Sequence, residues 1–444
     1  MYIINSPKLI PAVQKLWKTV SFAAIEAQTA ASIFLCSKEA NEIIGRGLMD
    51  ADSYTGTFTA AIHPALKPGA NLDDMNRAAI RTIATSLDRL QAGGSIETNL
   101  FDLVRDEIIL ATSDAVYGPH NPFRDPEVLR AWHQFEPQLI TFAINLFPRL
   151  LAPAAFKARQ RVTDSFVAYI RAGHHKQGSA LVQARHTHSS SFGLTPDDIG
   201  GAEVGGAFAV LGSTAPAAFW LIYHLFSSPV LLEECRAEVA ALVVEEEEEQ
   251  EGVSTIDVTA IKSKCPVLLA TFQEVLRYRH ISVSARVVLK EDEMLDGKYR
   301  LKKDSMLMIP VTVIHTDPDS WGASASVFDH RRFLPENIKA IPRTAYRPFG
   351  GGYVFCPGRH FATTEILAFA ALIMLRFDIT PAAAGGKWRD VTIDKTPLTP
   401  ALAVPDDPIR VHIRPREPSR KWRVELVESD RAVGIVAEDI SSSM

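Results

Sequence analysis

Apolar side chains recur every three to four residues through most of the first half of the chain, and polar side chains fill the positions between them. This is the period of an amphipathic α-helix. The helices predicted in this way cover residues 7–18, 72–91 and 101–117 and several segments between 125 and 173, with breaks at Pro148 and Pro153. Residues 1–6 are predicted to form a short strand. The polar stretch 174–193, rich in histidine and serine, is predicted to be an exposed loop.

A long apolar segment lies near the middle of the chain. Thr195 is predicted to cap its N-terminus, with Pro196 at the first helical position. The predicted helix, residues 199–226, is apolar on nearly all sides, which is typical of a helix buried in a large domain. Its uncharged part, residues 204–223, contains serine, threonine and proline. We therefore interpret it as a core helix and predict no membrane-spanning helix in this chain.

The pattern changes after residue 265, where short alternating segments join the helices. The predicted helices are residues 266–278 and 362–376, and the predicted strands are residues 282–288, 299–301, 306–310, 409–413 and 422–426. A loop-rich stretch, residues 315–348, lies between them. Because no linker is long enough to separate two domains, we predict one large domain over residues 1–444, mainly α with a minor β part. Residues 415–444 are its C-terminal tail.

The composition fits a protein with a large core and excludes several classes. Of the 444 residues, 47% are hydrophobic, and the formal net charge of −5 gives no basic face for nucleic acid. The four cysteines are scattered, which argues against a disulfide framework and a structural zinc site and indicates a reducing compartment. They are Cys36, Cys235, Cys265 and Cys356. The acidic run 245–251 is predicted to be a solvated segment.

One cysteine lies in a glycine-rich segment, residues 349–359, with the sequence FGGGYVFCPGR. Glycines such as Gly350 let the backbone fold tightly and approach a flat ligand. Phe349 offers an aromatic face near the sulfur of Cys356. Arg359 and the helix that follows supply positive potential, which is expected to lower the pKa of the thiol. A thiolate held in this way suits an iron ligand.

This segment resembles the signature of the cytochrome P450 family, Phe-x-x-Gly-x-Arg/His-x-Cys-x-Gly. The match covers Phe349, Gly352, Cys356 and Gly358, and it departs at Val354, where many members carry a basic residue that contacts a haem propionate. The resemblance implies a cytochrome P450 fold and haem b (iron protoporphyrin IX), with the Cys356 sulfur as the iron ligand. The cofactor-binding residues that it implies are Cys356, Phe349, Gly350, Gly358, Arg286 and Arg359.

A second family feature is the Glu-x-x-Arg pair Glu274 and Arg277 in the helix predicted at residues 266–278. Positions i and i+3 share a helix face, so the two side chains can pair. Alone, such a pair is usually a surface salt bridge. The resemblance implies that Arg332 joins them in a structural triad that supports the cysteine loop. It also implies that Arg286, on the first strand after the helix, reaches a haem propionate.

The central helix carries the candidate catalytic residues. Oxygen-activating members of the family usually show an acid followed by two hydroxyl residues; here Ser213 and Thr214 take the hydroxyl positions and Gly212 stands in place of the acid. Pro216 is expected to bend the helix. The candidate substrate-lining residues are Ala209, Ser213, Val283 and Leu402, each of which is equally compatible with an ordinary core position.

Three functions remain open at this point. The first is a monooxygenase that receives electrons from NADPH through a cytochrome P450 reductase and inserts one oxygen atom into an apolar steroid, terpenoid or lipid-like molecule. The second is a haem-thiolate isomerase or dehydratase that needs neither dioxygen nor reductase, which the missing acid at Gly212 favours somewhat. The third is a non-catalytic haem sensor or carrier.

Finer resemblances suggest a branch of the family. Residues 214–224 and 117–123 resemble the branch that contains sterol and bile-acid hydroxylases and prostacyclin synthase, and the overall pattern is of the fungal type, as in secondary metabolism. The family's N-terminal membrane anchor and first helix would precede residue 1. The resemblance thus implies membrane association, at the cytoplasmic face of the endoplasmic reticulum, only for a longer native form.

Overall fold

The structure is a computed structural model that describes residues 1–145, 147–246, 253–383 and 385–427. It is 58% helical with 13% strand, which confirms the mainly α class with a minor β part. The α-helices of the described residues, in chain order, are α1 (Ile10–Lys15), α2 (Ala23–Ile33), α3 (Lys38–Gly45), α4 (Tyr54–Leu66), α5 (Ala70–Ala92), α6 (Leu100–Tyr117), α7 (Pro126–Phe135), α8 (Leu139–Ala143), α9 (Pro148–Leu151), α10 (Pro153–Arg171), α11 (Ala180–Ser191), α12 (Pro196–Leu211), α13 (Thr214–Ser227), α14 (Pro229–Ala240), α15 (Ile261–Lys264), α16 (Pro266–Tyr278), α17 (Val311–His315), α18 (Pro318–Trp321) and α19 (Arg359–Arg376).

The strands are short and form small sheets at the edge of the helical body. In chain order they are β1 (Tyr2–Ile3), β2 (Val20–Ser21), β3 (Ile96–Asn99), β4 (Val243–Glu246), β5 (Val253–Asp257), β6 (Val283–Val288), β7 (Glu293–Leu295), β8 (Tyr299–Leu301), β9 (Met306–Pro310), β10 (Gly350–Gly351), β11 (Val354–Phe355), β12 (Phe377–Pro381), β13 (Arg410–Pro415) and β14 (Lys421–Glu425). The described strands pair in the orders β1-β9-β6-β2, β12-β13-β3, β14-β5-β4, β10-β11 and β7-β8.

The four-stranded sheet joins the start of the chain to its later part. Tyr2 lies opposite Leu307 in a parallel pairing of β1 with β9, so the strand predicted at residues 1–6 is confirmed. Strand β6 runs antiparallel to β9 and places Arg286 opposite Leu307. This sheet therefore holds the segment that follows α16 in a fixed register.

The core is built from apolar helices that bury nearly every side chain. Phe219 and Trp220 of α13 are fully buried, and so is most of α19. Helix α13 packs between α6 and α19, with the ring of Phe101 edge-on to Phe219 at 5.3 Å between ring centroids. This burial is the main source of stability for the fold and fixes the position of α19, which begins three residues after Cys356.

The central apolar segment differs from the single bent helix that was predicted. Helix α12 ends at Leu211 and α13 begins at Thr214, so the segment is interrupted at Gly212. Pro216 lies in the first turn of α13, and its missing N–H is the one that a continuous helix would direct to the carbonyl oxygen of Gly212. The interruption therefore falls where the proline is expected to disturb the helix. The predicted cap is confirmed, because the hydroxyl of Thr195 accepts a hydrogen bond at the first turn of α12.

The exposed loop predicted at residues 174–193 is wrong over most of its length, because it contains α11. Leu181 on this helix is 1% exposed. Arg185 on the same helix is also buried, and it donates two hydrogen bonds to the Glu203 carboxylate of α12 at 3.0 and 2.7 Å. Because this inward position is polar, the sequence does not show the apolar period of a helix. A buried ion pair of this kind gives the sequence a polar residue at an inward position.

Two of the other predicted segments reach beyond the described residues. At the start of the acidic run 245–251, Glu245 lies in β4 and accepts a hydrogen bond from the Ser254 hydroxyl at 2.9 Å. Its side chain is therefore tied to β5, although residues 247–252 lie outside the described part. Strand β14 confirms the β segment predicted near the C-terminus, and residues 428–444 of the predicted tail also lie outside.

One stretch of the described residues, Pro196–Ser227, is long and apolar enough to cross a membrane by length and composition. The most apolar 18 consecutive residues of this stretch are 67% buried inside the structure. This agrees with the interpretation of the segment as a core element.

Candidate functional site

The cysteine loop is a tight hairpin built on three glycines. Strands β10 and β11 pair so that Gly350 lies opposite Phe355. Gly350, Gly351 and Gly352 have φ angles of 83°, 157° and 65°, which favour glycine. A Cβ atom at position 350 would also lie 2.5 Å from the carbonyl oxygen of Val354, so the first glycine is required by contact as well as by backbone conformation.

Cys356 follows this hairpin and is held by backbone groups. Its N–H donates to the carbonyl oxygen of Phe349 at 2.9 Å, and the N–H groups of Gly358 and Arg359 donate to its sulfur. The residue is partly exposed, yet burial of the thiol raises its pKa more than these bonds and the Arg359 charge lower it. The predicted lowering of the thiol pKa is therefore outweighed by burial. A metal ion bound to the sulfur would remove the proton outright.

The remaining residues of the loop support this arrangement. Phe349 is half-buried and packs where two apolar clusters meet. Arg359, the first residue of α19, donates to the Cys356 carbonyl oxygen at 3.3 Å and lies over the Phe355 ring at 4.2 Å from its centroid. A Cβ atom on Gly358 would lie 4.0 Å from the sulfur, so glycine keeps the space beside it clear.

The Glu-x-x-Arg pair is buried completely on α16. Nε and Nη2 of Arg277 donate to the two carboxylate oxygens of Glu274 at 2.7 and 2.6 Å, and both side chains are 0% exposed. The guanidinium also donates to the carbonyl oxygens of His315, Ala325 and Val327 at 2.7, 2.7 and 3.1 Å. Burial raises the pKa of Glu274, and Arg277 opposes that shift. This pair is not a surface salt bridge.

Arg332 lies next to the same carboxylate but makes its short hydrogen bonds elsewhere. Its Nε is 3.7 Å from Oε1 of Glu274. It donates to the carbonyl oxygens of Trp321 and Ser324 at 3.1 and 2.6 Å. The structure therefore brings the three predicted triad residues together, with Arg332 joined mainly to the chain around it.

His315 connects this cluster to the cysteine loop. Its Nδ1 donates to the carbonyl oxygen of Arg277 at 3.1 Å, and its Nε2 accepts the backbone N–H of Arg347 at 2.9 Å. Burial is the largest of the influences that hold the pKa of His315 well below its ordinary value. The ring is therefore neutral, as one donor and one acceptor nitrogen require. It ties α16 to the residue two positions before Phe349.

Two buried guanidinium groups lie close together near the loop. Arg286 and Arg347 are each 3% exposed. Arg286 donates to the hydroxyl of Ser284 at 2.6 Å, and burial together with the charge of Arg347 lowers the pKa of Arg286 to about 10. Across the described ranges, no carboxylate forms an ion pair with Arg286. A buried cation such as Arg286 calls for an anionic partner, and a propionate of haem fits that requirement.

Sequence reasoning missed Arg347. The one signal was a basic residue directly before Pro348 and Phe349, and nothing in the local pattern shows that its side chain is buried beside Arg286. The position of Arg347 is set by contacts with distant parts of the chain, such as the ring of His315, which accepts its backbone N–H.

The two candidate catalytic hydroxyls lie at the break between α12 and α13. The oxygen of Ser213 accepts the backbone N–H of Ala401 at 3.0 Å, which leaves its proton available to donate. The hydroxyl of Thr214 donates to the carbonyl oxygen of Val210 at 2.9 Å, so its proton is already engaged. The two positions are therefore not equivalent.

The candidate substrate-lining residues come from three elements that meet near Ser213. A β-bridge joins His280 to Leu402, next to the Ala401 amide that binds Ser213. Leu402 is 3% exposed, as a core residue is. Val283 is 47% exposed, and Ala209 is exposed although α12 is apolar. These two side chains face open space.

Two grooves, of about 620 and 410 Å³, lie away from these residues. The first lies between α7 and α10, and the second lies between α3 and the start of α12. None of the candidate site residues lines either groove, so neither is the expected substrate pocket.

Cys356 would hold the iron of a haem through its sulfur, the buried Arg286 would bind an acid group of the porphyrin, and this mainly α fold supplies both residues. The class of protein is therefore a haem-thiolate protein. The chain belongs to the cytochrome P450 family, whose family model matches residues 149–411.

Individual relatives agree with this assignment. The chain is 33% identical over 442 residues to a cytochrome P450 monooxygenase, nodJ, of Hypoxylon pulicicidum, a match that covers 97% of this chain and 84% of the relative. It is 28% identical over 295 residues to a bifunctional cytochrome P450/NADPH–P450 reductase of Gibberella moniliformis, covering 63% of this chain and 26% of that protein. The fold is similar to the crystal structure of the cytochrome P450DA haem domain, with a TM-score of 0.71 and 18% identity over 94% of this chain and 88% of the other.

Proposed function

We propose that this chain is a haem-thiolate monooxygenase in which Cys356 binds the iron of haem b. The observation that carries the proposal is the set of backbone hydrogen bonds to the Cys356 sulfur. The backbone N–H groups of Gly358 and Arg359 donate to it, and Gly358 places no side chain beside it. When bound, the haem supplies the activation of dioxygen, and one oxygen atom enters the substrate.

Cys356, Phe349, Gly350, Gly358, Arg359 and Arg286 are the residues proposed to hold the cofactor. Glu274, Arg277 and Arg332 would position the loop rather than touch the cofactor. The buried ion pair fixes α16 to the chain around His315, and His315 fixes that chain to Arg347. Any movement of this cluster is expected to move the cysteine sulfur.

Ser213 is the better candidate for a proton donor at the distal side. Its oxygen is held by the Ala401 amide, which orients the hydroxyl while leaving the proton free. Thr214 has its proton on the Val210 carbonyl and would act mainly by shaping the helix break. A hydroxyl that donates through water can serve in place of the missing acid at Gly212.

A reductase partner and an apolar substrate complete the proposal. Relatives that are fused to a reductase, such as the Gibberella moniliformis protein, support electron supply from NADPH through a cytochrome P450 reductase. The exposed Ala209 and Val283 support a small apolar substrate, which we propose to be a steroid, a terpenoid or a lipid-like molecule of secondary metabolism. We also propose that the protein works at the cytoplasmic face of the endoplasmic reticulum membrane.

The proposal is tested by spectroscopy and by turnover. Haem-loaded protein, reduced under carbon monoxide, is expected to show the red-shifted Soret band of thiolate ligation, and Cys356→Ser is expected to lose it. Progesterone, geraniol and lauric acid serve as steroid, terpenoid and fatty-acid probes. Incorporation of oxygen from ¹⁸O₂ into one of them, dependent on NADPH and a reductase, is the expected result.

The missing acid at Gly212 supports one second candidate, an isomerase or dehydratase of the prostacyclin synthase kind. Such an enzyme would convert a lipid hydroperoxide or endoperoxide probe in the absence of NADPH, reductase and dioxygen. Turnover under those conditions, with no ¹⁸O incorporation in the complete system, would replace the first proposal with the second. An unchanged spectrum in Cys356→Ser would contradict both.

A further inference from the structure

At position 354 many family members carry a basic residue that contacts a haem propionate. This chain has an uncharged valine there. Val354 lies in β11, and its partner in the hairpin is Gly351. A valine side chain offers neither charge nor a hydrogen-bond donor. A haem propionate bound at this loop would therefore need a donor from elsewhere in the chain.

Arg347 lies where such a donor is required. Its side chain is buried, and its positive charge acts on the buried guanidinium of Arg286. Arg286 reaches Ser284 but no carboxylate among the residues that the structure describes. Burial removes hydration from the Arg286 guanidinium and the charge of Arg347 repels it, and an anion bound beside Arg286 would offset both costs.

The backbone and the side chain of Arg347 are held separately. The Nε2 atom of His315 accepts its N–H at 2.9 Å. With its amide oxygen turned toward the loop, Gln14 accepts from Nη1 of Arg347 at 3.2 Å and from the N–H of Gly352 at 3.0 Å. Gln14 thus ties the guanidinium to the glycine hairpin, at the turn that leads to Val354.

The segment after α1 strengthens this connection. The ring of Trp17 stacks on that of Tyr353, with 3.5 Å between the ring centroids and 16° between the planes. The stacked pair holds the start of the chain against the tip of the hairpin.

We propose that Arg347, oriented by Gln14, binds a haem propionate together with Arg286, in place of the basic residue that the family usually carries at position 354. This rests on the proposed function, because it requires haem at Cys356. The proposed cation therefore lies seven positions before the one that usually carries it in the family. Its guanidinium now comes from the residue before Pro348 and Phe349.

The first experiment measures how fast the haem leaves. Holoprotein is mixed with excess apomyoglobin, and haem transfer is followed by absorbance for the unmodified chain, Arg347→Gln and Arg347→Lys. Losing a charge-assisted hydrogen bond corresponds to about a 10- to 100-fold faster loss in Arg347→Gln. Arg347→Lys is expected to lie between the two. The control Arg343→Gln, an exposed residue of the same loop, is expected to match the unmodified chain.

The second experiment asks whether the contact is with a propionate. Apoprotein is reconstituted with haem or with haem dimethyl ester, in which the acid groups carry no charge. The difference between Arg347→Gln and the unmodified chain is expected to shrink to nearly nothing with the ester. An equal difference with both porphyrins would overturn the proposal, because Arg347 would then act only on the fold.

The third experiment restores the family's arrangement. The double variant Arg347→Gln with Val354→Arg is expected to recover most of the haem retention. If Arg347→Gln does not accumulate as folded protein, the ester comparison is made with Arg347→Lys and Gln14→Leu, and it supports or overturns the proposal by the same criterion.

A normal Soret shift under carbon monoxide with no effect of Arg347→Gln on haem retention would reject this inference and leave the proposed function standing. Absence of haem binding would reject both.

Discussion

The guanidinium of Arg277 is joined to the Glu274 carboxylate by two hydrogen bonds of 2.7 and 2.6 Å, and neither side chain has any exposed surface. Asp329 adds its backbone N–H to Oε1 of Glu274 at 2.8 Å. The pair therefore gathers the chain between His315 and Asp329 around α16. Because desolvation of two charges is costly, the pair contributes mainly by positioning this part of the chain and not by a net gain in stability. Removal of one partner would leave the other charge buried alone.

Arg277→Met is expected to destabilise the protein by about 3–5 kcal/mol, because Glu274 would be left as an unpaired buried carboxylate. The measurement is the free energy of unfolding from urea titration, with haem retention followed in parallel. Arg77→Met is the matched control, since Arg77 pairs with Asp74 at the same i, i+3 spacing and 2.9 Å but on the surface. That variant is expected to change stability by less than about 1 kcal/mol. Similar losses in both variants would contradict the assigned role of burial.

Arg332→Ala is expected to cost less than Arg277→Met. The Nε of Arg332 is 3.7 Å from Glu274, and its hydrogen bonds go to the carbonyl oxygens of Trp321 and Ser324. Loss of these bonds corresponds to about 1–3 kcal/mol. Urea titration of the two variants side by side checks the order. A larger loss for Arg332→Ala would show that it carries more of the carboxylate's charge compensation than the distances indicate.

Gly350→Ala is expected to disturb the cysteine loop beyond the cost of its backbone angle. The φ angle of 83° costs an alanine about 1–2 kcal/mol, and its Cβ would also meet the Val354 oxygen at 2.5 Å. Gly94→Ala is the control, because Gly94 has a φ of 75° and open space around its Cβ position. Both variants are expected to lose some stability. Only Gly350→Ala is expected to lose the red-shifted Soret band of the reduced protein under carbon monoxide.

Much of the architecture follows from local pattern. Helix α16 occupies the predicted residues 266–278 because Pro266 can only begin a helix and the apolar period continues without interruption to Tyr278. Strands β8 and β9 also match their predicted bounds, since alternation is clear in short segments between turns. Within the candidate site, the glycine hairpin and the Glu-x-x-Arg pair are local in sequence and were visible for that reason.

The rest depends on contacts between distant parts of the chain. Helix α11 was missed because Arg185 is paired with Glu203 of another helix, which makes an inward position look exposed. The contact of Arg347 with Gln14 joins the loop to the start of the chain. No periodicity encodes such a pairing. Pro216 predicted a disturbance of the central helix, but the local pattern did not show that the segment divides into two helices at Gly212.

Ser213→Ala is expected to uncouple electron use from product formation more than Thr214→Val. The Ser213 hydroxyl can still donate its proton, whereas the Thr214 proton is engaged by the Val210 carbonyl. The measurement is the ratio of oxygenated product to NADPH consumed, with hydrogen peroxide released as the complement. A loss of about 10- to 100-fold in coupled turnover is the scale expected for a proton-delivery group. Equal or greater uncoupling in Thr214→Val would assign the role to the threonine.

Glu365 gives the protein a stability that depends on pH. It is buried on α19, the hydroxyl of Thr112 donates to its two carboxylate oxygens at 2.8 Å, and burial raises its pKa to about 8. The folded state therefore binds this proton more tightly than the unfolded chain, whose carboxyl has the ordinary value of 4.5. The stabilisation is complete below that value and is lost as pH rises through the folded pKa.

Glu365→Gln is expected to flatten the fall in unfolding free energy between about pH 5 and pH 8, by on the order of a few kcal/mol, since a carboxamide cannot ionise. Glu136, whose pKa burial raises to about 7, contributes a slope of the same sign, so the difference between variant and unmodified protein is the quantity to measure. Glu39→Gln, at an exposed position on α3, is the control and is expected to keep the full slope. If Glu365→Gln also keeps it, the Glu365 carboxyl must be ionised in the folded protein at neutral pH, and Thr112 with nearby backbone must stabilise that charge.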